Sequence, residues 1–138
     1  MNTQPAAEEV QQSVIAREFV LVDEAGNKRL VMNVTENGAP HINMYDSAGN
    51  PRLVITVNKN DRPTLTMYDS TGTTRLVLGV TKNDTPTVTI LDSEEKPRLS
   101  LIVFPTDTPS LTMYDPEGEP IWGMPPGNLF GNLLWHMP

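Results

Sequence analysis

The chain has 138 residues, a formal net charge of −7 and no cysteine. Such a length holds one ordinary domain, and the missing cysteine excludes disulfide frameworks and thiolate metal sites. The acidic balance argues against nucleic acid and anionic membranes, which need a basic footprint.

The opening stretch MNTQPAAEEVQQ is polar and acidic, with neither the basic start nor the apolar centre of an export signal. No segment approaches the ~20 apolar residues of a membrane span, so a cytoplasmic location is expected. Within residues 1–17, Ala7, Val10 and Val14 follow an a/d spacing that fits a short helix. The competing reading is a frayed tail.

From residue 18 onward an internal period governs the sequence. Asp23, Asp46, Asp69, Asp92 and Asp115 follow one another at a fixed step, with Arg29, Arg52, Arg75 and Arg98 keeping it, as do Pro40, Pro63, Pro86 and Pro109. Gly26, Gly49, Gly72 and Gly118 form a further column, broken only by Glu95. Three unrelated residue types sharing one step define repeats over 18–40, 41–63, 64–86 and 87–109, with a partial fifth at 110–120.

Inside a repeat the pattern alternates every second residue, as a strand does. In the second repeat Ile42, Met44, Leu53, Ile55 and Val57 share one face, and Asn43, Tyr45, Arg52, Val54 and Thr56 share the other. Asp at the first and Gly at the fourth position of D-x-x-G suit a type I turn; a two-residue turn on Ala48 and Gly49 is the other choice. Both predict Met44 opposite Leu53 and Tyr45 opposite Arg52. The segments NGAP, NDRP and NDTP form the second turn, whose proline is expected to break the ladder before the next strand. The predicted fold is therefore all-β: an antiparallel meander of nine strands and a partial tenth in a single layer.

A sheet with one apolar face must cover it. Ordering a hairpin costs about 1–2 kcal/mol per residue in backbone entropy, and each fully buried apolar side chain returns roughly 1.5–3 kcal/mol, so a lone repeat cannot stand. Closure into an up-and-down barrel, folding over into a sandwich and packing against copies are the three solutions. The near-uniform repeats show no corner, which favours copies: a homo-oligomer, with three sheets forming a triangular prism. The expected interface is Ile42, Met44, Leu53, Ile55, Val57, Leu65, Met67, Leu76, Leu78 and Val80. Residues 121–138 leave the period, and Trp122, Phe130, Leu134 and Trp135 among Pro and Gly suggest a segment that covers apolar surface or docks another protein.

Candidate chemistry is sparse. A calcium loop needs several converging oxygens, whereas DSAGNP offers one carboxylate, already explained by turn chemistry. His41 and His136 are the only histidines, no serine has a nucleophile setting, and no Gly-rich phosphate loop is present. Neither an enzyme nor a cofactor is expected. The predicted Tyr45–Arg52 and Tyr68–Arg75 pairs, flanked by Val22–Arg29 and Leu91–Arg98, permit guanidinium stacking on the rings. That face is the alternative functional reading, a binding module for a glycan or protein, against the plainer role of cross-strand stabilisation.

The stretch AREFVLVDEAGNKRLVMNV and the following L-x-L-x-D-x-x-G-x-x-R units resemble bacterial proteins of tandem hairpin repeats whose activity is not characterised. The resemblance covers roughly residues 16–118 and implies no functional residue. The array is similar in form to MORN repeats but lacks their Gly-aromatic signature. In architecture it looks like the trimeric β-prism segments of phage tail fibres.

Overall fold

The computed structural model describes residues 13–124. The expected N-terminal helix lies largely outside them, at Ala7 and Val10; Val14, which is described, stands in a stretch without regular structure. Phe130, Leu134 and Trp135 also lie outside the described residues.

Ten strands follow one another in chain order: β1 (Glu18–Val22), β2 (Lys28–Val34), β3 (Pro40–Tyr45), β4 (Pro51–Val57), β5 (Pro63–Tyr68), β6 (Thr74–Val80), β7 (Pro86–Leu91), β8 (Pro97–Val103), β9 (Pro109–Tyr114) and β10 (Pro120–Met124). Each pairs antiparallel with its chain neighbour in one open sheet ordered β1 to β10. The meander is as the alternation predicts, and the barrel is not formed. β10 is a full partner of β9, so the sheet runs past the repeat limit at residue 120 and takes in Trp122.

Both kinds of turn use one device. Gly49 N–H donates to the Asp46 carbonyl (3.1 Å) and Asp46 N–H to the Asn50 carbonyl (2.9 Å). Gly49 has φ +84°. This is the three-residue hairpin of a type I turn followed by a left-handed residue. The second turn repeats it: Gly38 N–H donates to the Thr35 carbonyl (2.9 Å) with φ +81°. Later copies of the second turn place Asp61, Asp84 and Asp107 in the left-handed position, at φ +58°, +55° and +60°. Asp tolerates that region better than most side chains. Gly38→Ala should therefore lower stability by about 1 kcal/mol, whereas Gly38→Asp should be close to neutral, as comparative thermal melts can check. Equal losses in the two variants would refute this reading of the turn.

The prolines of the second turn do not interrupt the ladder, contrary to expectation. Pro40, Pro63, Pro86 and Pro109 are the first residues of their strands and stand opposite Val34, Val57, Val80 and Val103. A first strand residue is one of the few places where a missing N–H is tolerated.

The register also differs beside the Asp turns. Met44 faces Leu53 as predicted, but Tyr45 faces Pro51. Arg52 is the extra residue of a bulge, two residues opposing one. The same shift puts Tyr68 opposite Thr74 and Leu91 opposite Pro97. The predicted Tyr45–Arg52 and Tyr68–Arg75 cross-strand pairs are thus replaced by pairs one residue closer to the turn.

The described residues form no core in the ordinary sense. Among the described residues Val31, at 5% exposure, is the single buried apolar side chain, and none of the larger ones is fully buried. The well-shielded positions of the sheet are Val31, Gly79, Ser100, Ser110 and Thr112, all on the face of small and polar residues.

Candidate functional site

Following the registers across the sheet shows what the other face is made of. The row nearest the Asp turns runs Leu21, Leu30, Met44, Leu53, Met67, Leu76, Ile90, Leu99, Met113 and Trp122. The middle row runs Phe19, Met32, Ile42, Ile55, Leu65, Leu78, Val88, Leu101, Leu111 and Met124. The third row is smaller, pairing the Val34, Val57, Val80 and Val103 side chains with Pro40, Pro63, Pro86 and Pro109. No polar side chain interrupts these rows. The face is continuous because strand periodicity and the repeat step both return the same residue class to the same side.

All ten interface residues expected from the second and third repeats lie on this face. The same columns in the first, fourth and fifth repeats extend the face over every strand. Trp122, assigned to the tail from its sequence, instead sits opposite Met113 in the first row.

The face has relief. Met44 (40% exposed), Met67 and Met113 stand out in the first row, while Ile55, Leu78 (48%) and Leu101 stand out in the middle row. Between them Ile42, Leu53, Leu65 and Leu76 are half-buried. Knobs and hollows alternate strand by strand, the texture by which two sheets interdigitate.

The Asp-turn edge is held by a ladder of polar links. Asp46 Oδ1 accepts from Ala48 N–H (3.0 Å) and Asn50 N–H (2.9 Å). Those N–H groups hold its carboxyl below the ordinary carboxylate range, led by Asn50, with Arg52 adding a Coulombic pull. Asp23, Asp69 and Asp92 are lowered too, led by Asn27 N–H, the Thr71 hydroxyl and Lys96 N–H respectively. The arginines then reach onward. Arg52 lies 3.7 Å from Asp46 and donates through Nε to the Tyr68 carbonyl of the next repeat (3.0 Å). Arg98 bonds both Asp92 and the Asp115 carbonyl.

At Glu95, which replaces the column's glycine, a carboxylate oxygen accepts from Thr74 N–H (2.8 Å) one repeat back. Its pKa is lowered for that reason. Like the arginines, this side chain ties one repeat to another.

These links bear on the other candidate, the Tyr45, Arg52, Tyr68 and Arg75 face. Arg52 spends its Nε on a main-chain carbonyl and its Nη1 beside Asp46, and Arg75 lies 3.6 Å from Asp69. Both arginines thus contribute to the sheet edge, while their side chains stay 41% and 43% exposed. Nor do the aspartates converge: among the described residues no three His, Asp or Glu side chains are grouped to hold a metal ion. An open groove of about 470 Å³ lies where residues 14–18 pass Met32, Pro40 and Ile42. It is a margin of the apolar face. Among the described residues no helix is long and apolar enough to cross a membrane.

Comparison with protein-family models and with curated proteins finds no match for this chain.

Proposed function

We propose that this chain is a non-enzymatic structural repeat protein whose working form is a homo-oligomer, a trimer, assembled by burying the apolar face. One observation carries the reading: among the described residues, a ten-stranded sheet leaves its apolar face open, with almost nothing buried inside the single layer. Backbone ordering costs about 1–2 kcal/mol per residue. Hydrogen bonds recover little of that, because the unfolded chain bonds to water. The layer therefore needs a cover.

The size of the face suits a protein cover. Ten strands at ~4.8 Å span about 45 Å, and three side-chain rows cover roughly 17–20 Å along the strands. The resulting ~800 Å² per copy is what a stable interface of standard size buries on each partner. Such a patch is also larger than the apolar patch a soluble monomer ordinarily exposes.

The test is the mass of the full chain by size-exclusion chromatography with light scattering. Three times the 15.3 kDa of one chain is the expected result. A folded particle of 15.3 kDa overturns the proposal.

A further inference from the structure

Resting on that reading, we infer that the copies join as a parallel three-sided prism in which the Asp-turn edge of one sheet abuts the second-turn edge of the next, so that both turn edges are contact seams. Strand length sets the number of sides. Strands of six to seven residues such as β3 and β4 are about 20 Å long at ~3.3 Å per residue. The centre of an equilateral triangle of that side lies roughly 6 Å from each sheet. Packed sheets stand ~10 Å apart, so side chains from one sheet fill about 5 Å. Three sides fill the interior. Four would set the centre about 10 Å from each sheet and leave an apolar void, which packing disfavours.

Two sheets face to face would also meet at ~10 Å, but both turn margins would remain open to water. The exposed Met44, Met67 and Met113 stand at one of those margins. In a prism, each margin closes against a neighbour. The sizes fit such a corner: bulky Leu and Met line the Asp-turn side, while Val and Pro line the other side, so large meets small where two sheets converge.

Charge favours the same pairing of edges. The Asp-turn segments, from residue 23 to residue 119, carry ten acidic against six basic side chains. The second-turn segments carry four against three, with Lys59, Arg62 and Lys82 among them. Head-to-tail corners set the acidic edge beside the nearly neutral one, and a homotypic arrangement would set two acidic edges together.

The chain's lack of cysteine makes the seam testable by crosslinking. Ala48 and Asn60 are exposed turn residues on opposite edges. In the hydrogen-bonding network of their turns they contribute main-chain N–H groups, to Asp46 and Asn58. β4 holds them roughly 20 Å apart within one chain, far beyond the ~7 Å Cα limit of a disulfide. The full-length double variant Ala48→Cys plus Asn60→Cys, oxidised at a concentration where light scattering shows the oligomer, should run as a covalent trimer under non-reducing conditions. Neither single variant should crosslink. Covalent dimers from Ala48→Cys alone, or an oligomer in which the double variant gives dimers or no product, overturn the prism while leaving self-association standing. A monomeric mass before oxidation overturns both.

Discussion

Ile55→Lys combined with Leu78→Lys should abolish the oligomer. Both side chains stand proud of the middle row on neighbouring hairpins, where three copies would bring them toward one axis. Each substitution removes an apolar side chain worth roughly 1.5–3 kcal/mol when buried. Each also places an ammonium where its desolvation costs several kcal/mol without a partner. Three copies carry six such charges into one interior, against a few tens of kcal/mol at most for the whole association. Light scattering should show the mass falling toward 15.3 kDa. Because the single layer has no core of its own among the described residues, far-UV circular dichroism should show the sheet signal falling with it, as in an obligate oligomer.

The control is Thr66→Lys on the opposite face of β5, across from Val77. It adds one such charge to the same region of the sheet and should leave mass and melting temperature nearly unchanged. If the two double-lysine and single-lysine proteins behave alike, or if the former retains the parent mass and melt, the apolar face is not the interface.

Much of this fold was readable before any coordinates, because period and alternation are properties of residue order. A step that returns Asp, Arg and Pro together can only be a repeat, and apolar residues two apart can only share one side of a strand. Met44 opposite Leu53 follows from that logic alone. The bulge at Arg52 does not. Residues 51 and 52 both lie next to the turn, outside the apolar rows, so the hydrophobic pattern is the same with or without one extra residue there. The pairing of Tyr45 with Pro51 was invisible for that reason, and so was the carbonyl of Tyr68 as the partner of Arg52. Glu95 shows the converse. It reads as damage to a glycine column, yet it occupies the same left-handed backbone at φ +59° and spends its carboxylate on Thr74. Trp122 was assigned to the tail because a row of Pro and Gly begins just beyond it; the partial tenth strand that the alternation predicts carries it into register with Met113.

Acid should weaken the fold through its Asp turns, and the sign is fixed by the direction of the shifts. Asp23, Asp46, Asp69 and Asp92 all bind their protons less tightly in the folded chain. The unfolded state therefore binds more protons in the acid range, and stability rises with pH there. The contribution is complete above the ordinary carboxylate pKa of about 4 and is lost as pH falls through the lowered folded values. A competing effect has the opposite sign. The chain carries −7 near neutrality, and protonating carboxylates relieves mutual repulsion, which by itself would stabilise the sheet at lower pH. Repulsion between exposed charges is screened beyond about 8 Å in physiological salt. The turn bonds are direct contacts, such as the 2.9 Å from Asn50 N–H to Asp46, and each weakens when its Asp is protonated and the charge assistance is lost. The local term should win. Melting temperature is expected to stay level from pH 7 to about pH 5 and to drop steeply below about pH 4. The fourfold variant Asp23→Asn, Asp46→Asn, Asp69→Asn and Asp92→Asn keeps an acceptor oxygen at every turn but has no proton to gain. Its melt should be lower at neutral pH and markedly flatter in acid. An acid limb as steep as that of the parent would mean that the loss arises elsewhere, and the Asp ladder would be turn geometry without electrostatic consequence.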